Sequence, residues 1–215
     1  MENPNRIEEA VEAALWPVQP VLVTAACTAY AKVATKYHDP SDGCDAQSFG
    51  FMVWKVFKNE IVLTARDAAH GIVIESDTAA FRFHIGRFRF GIYGLGWRAV
   101  DHIDSSFPNN DGGAGELAFD NVQYHLELGD EAYIPRSLII GHIGNPESGC
   151  EQVWVAEPYH TSAGAISGWG WSKLLWRFDG LKLSKVAAPV LPPPVPAKPV
   201  VLTLKRRSAK DNPPA

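Results

Sequence analysis

Between Lys58 and Lys173 the sequence contains no lysine. That gap removes the Gly-x-x-x-x-Gly-Lys-Ser/Thr loop, whose lysine reaches the terminal phosphates of a nucleotide. It also removes any nuclease site that needs a strand-borne Glu-x-Lys in the β-prone half of the chain. "GIYGLG" lacks the glycine spacing of a dinucleotide-binding turn. Cysteine is scarce too, with only Cys27, Cys44 and Cys150, and no Cys-x-x-Cys pair. An odd, scattered set gives neither a disulfide framework nor a zinc cassette, so reduced thiols and a cytoplasmic location are expected. No long apolar run is evident. "PVLVTAACTAYA" is 12 residues long and is closed by Lys32, whereas a bilayer span takes roughly 20. It reads as a buried helix, with no membrane partner. The start, "MENPNRIEEA", is acidic and polar, unlike a secretory leader.

Catalytic patterns are thin. None of the seven histidines is paired as His-x-His or His-x-x-x-His. "HLE" would place His125 and Glu127 on one face of a strand, and "DHID" puts His102 beside Asp101 and Asp104. Such pairs are common by chance, and "HDPSDGCD" lacks the regular acidic ladder of a calcium loop. No metal and no cofactor are expected. "AISGWG" carries Ala165 where a nucleophile elbow needs glycine. Cys150 sits at a turn that His125, His142 or His160 would have to reach in space for Cys–His chemistry. A buried structural thiol is the plainer reading.

What the chain does have is apolar mass: 46% of 215 residues, including seven Trp and ten Phe. Asn3-Pro4 reads as a helix start, and Ile7, Val11, Ala14 and Leu15 follow at helical spacing. "WPVQP" breaks that helix. A second helix is expected from about Val21 to Tyr37, and a third, capped by Asp45 or Ser48, through "FGFMVWKVFKNEIVL". After about residue 78 the period becomes two. "AAFRFHI" and "RFRFGIY" are strands around Gly86-Arg87. "LAFDNVQYHLEL" reads as a strand or a short helix. "SLIIGHIGNPESGCEQVWVAEP" is a hairpin, and "WGWSKLLWRF" alternates again. From Ala187, "AAPVLPPPVPAKP" suits extended polyproline II. The expected fold class is α+β. N-terminal helices pack on a mainly antiparallel β-sheet, followed by a Pro-rich extended C-terminal tail. The domain is 1–186, helical over 4–65 and mainly β over 79–183, and the tail is 187–215.

In "FRFHIGRFRF" the aromatic residues Phe81, Phe83, Phe88 and Phe90 alternate with Arg82, His84, Arg87 and Arg89. Alternation sends the two sets to opposite faces. The phenylalanines are expected in the core and the basic residues on a solvated strand face. The alternative is phosphate binding by Arg82, Arg87 and Arg89, aided by Lys205, Arg206 and Arg207, which would be salt-sensitive.

From Lys198 onward five basic residues face one acid, giving the tail +4 and the rest of the chain −8 within a net charge of −4. Pro193, Pro196 and Lys198 fit a Pro-x-x-Pro-x-Lys/Arg pattern, which polyproline-reading domains take up. Val200, Val201 and Leu202 begin a β-prone pentad suited to strand addition at a sheet edge. Trp169 and Trp171 follow a Gly/Ser-rich loop and suit either core closure or an exposed anchor for a partner.

"RFGIY", "SSFP", "IIGHIGN" and "VWVAEP" followed by "GWGW" are similar in strand-and-turn grammar to small bacterial accessory proteins encoded among regulatory or mobile-element genes. The likeness spans less than half the chain and carries over no site residue. The expected function is a non-enzymatic interaction or regulatory component of a bacterial assembly, tethered through its tail. Its partner is another protein or a second copy. Nucleic-acid binding through the arginine strand is the first alternative. An enzyme with a His/Asp or Cys/His site is the second.

Overall fold

The computed structural model describes residues 4–78, 80–103, 112–128, 134–160 and 166–178. The chain divides into Met1–Phe178 and Asp179–Ala215, and the second unit lies outside the described residues.

Helix α1 (Pro4–Leu15) opens with Pro4, whose fixed φ and missing N–H suit a first helical turn. Pro17 and Pro20 interrupt the amide ladder, and the chain bends by 72° between α1 and α2 (Gln19–Lys36). Along α2, Leu22, Ala25, Ala26, Ala29, Tyr30 and Val33 are buried, the three-to-four spacing of a packed face. Helix α3 (Ala46–Ala65) starts at a capping box. The Ser48 amide donates to Asp45 Oδ1 at 2.8 Å, and the Asp45 amide donates to Ser48 Oγ at 2.9 Å. Both residues named as cap candidates therefore act together. Phe49, Val53, Phe57 and Ile61 are the buried row of α3.

Six strands follow: β1 (Ile72–Ser76), β2 (Arg82–Ile85), β3 (Phe88–Gly96), β4 (Ser137–Asn145), β5 (Gly149–His160) and β6 (Ile166–Arg177). They form one sheet in sequence order. Every neighbouring pair is antiparallel except β3 and β4. A parallel pair needs a crossover, and α4 (Gly112–Leu128) supplies it. "LAFDNVQYHLEL" is thus helical. The sheet begins at Ile72, before the expected residue 79, and a helix interrupts the β half.

Side chains that alternate along β3, β4 and β5 enter two separate cores. Phe90, Ile92, Leu138, Ile140, Val153 and Val155 pack with α1, α2 and α3. Tyr93, Leu95, Ile139, Trp154 and Ala156 pack with Ala114 and Leu117 of α4. The N-terminal helices therefore cover one face of a mainly antiparallel sheet, as expected, and α4 covers part of the other.

Candidate functional site

The four phenylalanines of "FRFHIGRFRF" are each 1% exposed or less. Phe83 faces Phe90 across β2 and β3, with ring centroids 5.5 Å apart and planes at 22°. They are core, as expected. Arg82 corrects the other half of that reading. It is 3% exposed rather than on a solvated face, because α4 lies over it. Its guanidinium donates to the Phe81 carbonyl at 2.9 Å, stands 3.6 Å from Glu116 and lies 6.0 Å from the Tyr93 ring centre. Gly91 makes the space: a Cβ there would stand 3.0 Å from the Arg82 guanidinium and 3.1 Å from Leu117.

Arg89 is committed elsewhere. Its Nε and one terminal nitrogen each reach Glu75 at 2.8 Å, and the other terminal nitrogen reaches Asp120 at 2.6 Å. Arg87 sits at the β2–β3 turn, exposed and 5.0 Å from the Phe88 ring centre. One of the three arginines is buried, one is paired twice with carboxylates and one is open, so they do not share a basic surface.

Around Arg89 lies a polar recess of about 420 Å³ lined by Glu75, His84, Asp120, Gln123, Tyr124 and Arg136. His84 Nε2 is 2.9 Å from Glu75 Oε2. Burial raises the Glu75 carboxyl, but hydrogen bonds and charge from Arg89, then His84, outweigh it and hold it below the usual carboxylate range. Asn121 anchors the recess beneath. Its Oδ1 accepts from the Arg136 and Ser137 amides at 3.1 and 2.8 Å, and its Nδ2 donates to the Ser137 carbonyl at 2.7 Å. The recess holds paired charges of both signs. It contains no nucleophilic thiol, and its one ring base is already bound to a carboxylate.

The helical face of the sheet holds the chemistry that sequence reading only half located. His142 is 2% exposed, with Nδ1 2.9 Å from the Tyr30 hydroxyl. Its Nε2 has no hydrogen-bond partner among the described residues. Burial lowers its pKa from 6.5 to about 4, so the ring is neutral. Burial, then charge on Cys150, Glu151 and Cys27, raises the Tyr30 hydroxyl. Cys150 of β5 belongs to the same core, where its thiol donates to the Gln152 carbonyl at 3.7 Å, and Cys27 of α2 packs against that core. His142 shares a neighbour with Cys150, since Tyr30 bonds the His142 ring and packs beside Gly144 next to the Cys150 backbone. His125 belongs to α4, across the sheet. His125 and Glu127 do not share a strand face, since the segment that carries them is helical.

The two tryptophans named as anchors separate. The Trp169 indole donates to the Ile103 carbonyl at 2.8 Å and packs on the α4-side core. Trp171 packs on the helical side. Register explains the split: Trp171 pairs Glu157 and Trp169 pairs Pro158, so Gly170 is an extra residue that inverts the pleat. Trp171 lines a groove of about 230 Å³ with Val11, Leu15, Trp16, Gln19 and Leu175. Trp16 stands beside it, 79% exposed. Pro193, Pro196, Lys198, Val200, Val201, Leu202, Lys205, Arg206 and Arg207 lie outside the described residues, as do the His160 and Glu127 side chains.

Among the described residues no three His, Cys, Asp or Glu side chains gather in a way that could hold a metal ion. Nor is any single described helix long and apolar enough to cross a membrane. The chain matches no family model, no curated protein sequence and no solved structure.

Proposed function

We propose that the protein is an interaction component that receives an extended apolar segment of another polypeptide along the β6 edge. The observation that carries this reading is Trp16, 79% exposed beside a groove that Trp171 lines. A large aromatic left in water next to an apolar recess is the usual composition of a binding anchor. Strand β6 ends the sheet order, so its outer edge offers backbone groups for strand addition. Part of that edge is already guarded. Gln19 Nε2 donates to the Leu175 carbonyl at 2.9 Å, and Lys173 pairs with Glu8 and Glu12. The guard confines strand addition to the first half of β6, where Trp171 lies. Residues 187–215 serve as a second, tethering contact in this proposal.

The test is gentle purification from the native host followed by native mass spectrometry, with wild type, Trp16→Glu and a 187–215 deletion run side by side. Loss of an anchor of this kind costs on the order of tenfold or more in affinity. The expected result is a co-purifying polypeptide in wild type, much reduced in Trp16→Glu and weakened in the deletion, with the fold of both variants intact. Equal recovery in all three removes the edge and tail roles. A co-purifying nucleic acid would replace the reading altogether.

A further inference from the structure

We propose that the recess around Arg89 is a binding site for a free amino acid, whose ammonium group meets Asp120 and Glu75 and whose carboxylate meets Arg136. The site has a floor and a wall built from different elements. The floor is a row across the sheet. His84 pairs Arg89 in the β2–β3 register, and Glu75 stands beside them at the irregularity between Ile74 and Ser76 of β1. The wall is one face of α4, where Asp120, Gln123 and Tyr124 follow at the spacing that brings side chains together. Arg136, immediately before β4, completes the lining.

The frame is set by the backbone. The Arg89 amide donates to the Arg136 carbonyl at 2.9 Å, and the Asn121 side chain accepts from the Arg136 amide at 3.1 Å. These bonds tie β3, β4 and α4 at one point, so the lining does not have to be ordered by a ligand. A volume of about 420 Å³ suits a small molecule.

The charges of the lining are separated within it. Glu75 and Asp120 share the single guanidinium of Arg89, so with a neutral His84 ring that cluster keeps one negative charge. Arg89 and the Ser137 hydroxyl both donate to Asp120 Oδ2, at 2.6 and 3.4 Å, which leaves Oδ1 to accept from an incoming N–H. Arg136 supplies the opposite charge. Among the described residues it pairs with no carboxylate, and its guanidinium lies 6.0 Å from the Tyr124 ring centre. A guanidinium takes a carboxylate in two parallel hydrogen bonds. The recess is thus neutral as a whole and dipolar inside. Glu75 and Asp120 repel a lone anion, and Arg136 repels a lone cation. A molecule that carries both charges satisfies both sides. Gln123 adds an amide donor and acceptor to the same lining. The site is separate from the β6 groove, since no residue lines both.

The test is a thermal-shift screen of the full wild-type chain against each proteinogenic L-amino acid, followed by calorimetric titration. β-Alanine and γ-aminobutyrate are included as probes whose charges stand farther apart. The expected result is that a subset of probes raises the melting midpoint, by about 4 °C at tenfold excess over the dissociation constant. For the best probe, the N-acetyl derivative lacks the cation and the amide lacks the anion. Each should bind at least about tenfold more weakly. Arg136→Gln should weaken the parent probe by a similar factor, and its backbone bonds to Arg89 and Asn121 do not need the guanidinium. Trp16→Glu, at the β6 groove, should bind as wild type does. Absence of a shift with every probe at about 10 mM would overturn the proposal in the wild-type chain alone. So would an N-acetyl derivative or inorganic phosphate that binds as tightly as the parent amino acid, or an Arg136→Gln variant that keeps full affinity. Binding that is lost in Trp16→Glu would overturn it equally, by placing the ligand at the β6 groove.

Discussion

Under α1–α3 the sheet presents Phe83, Phe90, Ile92, Leu138 and Val155, an aromatic and aliphatic floor interrupted by the His142–Tyr30 pair. Under α4 it presents Tyr93, Leu95 and Trp154 together with buried Arg82 and Gln152, which are 3% and 0% exposed. The first face is held by area and shape. The second is smaller and is framed by directed polar contacts. Gln152 is an example: it accepts from the Val100 amide at 3.0 Å and donates to the Val100 carbonyl at 2.7 Å, pinning the segment after β3 across the sheet. Non-directional burial tolerates little loss of volume. A polar frame tolerates little loss of partners.

The largest expected effect breaks the comparison at its apolar side. Phe90→Ala removes a ring that is 0% exposed and stacked on Phe83, and should cost about 3–5 kcal/mol. Leu117→Ala, equally buried but on the α4 side, should cost about 2–3 kcal/mol, because a smaller core at the end of a long connection collapses more readily. Urea denaturation of both variants measures the difference. Equal losses would mean that the two cores are one cooperative body despite their different chemistry.

The same contrast explains what was legible in the sequence. Helices α1, α2 and α3 were readable because their apolar positions recur at three and four, and because proline and an Asp45/Ser48 box punctuate them. The β2–β3 and β4–β5 hairpins were readable from alternation and turn residues. The burial of Arg82 was not, because alternation says which face a residue is on and never what covers that face. Helix α4 was ambiguous for a related reason. Its buried positions, Ala114, Leu117, Ala118 and Asn121, do recur at three and four, but they are mostly small or polar, and the exposed Phe119 beside them blurs that period in the sequence. The His142–Tyr30 pair depends on long-range packing of α2 against the sheet, to which single-chain patterning is blind. The inversion between Trp169 and Trp171 depends on one bulge at Gly170.

An acid titration sharpens the comparison, since the two faces should fail in different windows. On the helical face, neutral His142 has its pKa lowered to about 4 by burial, against about 6.5 in an unfolded chain. The unfolded state therefore binds the extra proton first. Stability should fall as pH drops from about 6.5 toward 4, by about 3 kcal/mol in all, and level off below that. On the α4 side, Glu75 is held below its usual range by Arg89 and His84. Its contribution is present above the ordinary carboxylate pKa and is lost as pH falls below it. His142→Gln should flatten the upper window and leave the lower one. A wild-type curve with no slope between pH 6.5 and 4 would show that the His142 ring is not held neutral in the folded protein.

The smallest effect tests whether the recess around Arg89 is framework or ornament. Its side chain is 25% exposed, and it bridges Glu75, itself 36% exposed, to Asp120. Two carboxylates around one guanidinium leave a net negative charge, and solvent screens all three groups. Arg89→Gln should therefore cost about 1 kcal/mol at low salt, far less than any large-to-small change in either core. Wild type should lose most of that margin as ionic strength rises, whereas the variant should hold steady or gain slightly, since its remaining carboxylates repel less when screened. The readout is the denaturation midpoint of both proteins across a salt series. A salt-independent loss of several kcal/mol would place Arg89 with Arg82, as a buried strut of the α4 face. The polar frame would then be as unforgiving as the aromatic floor.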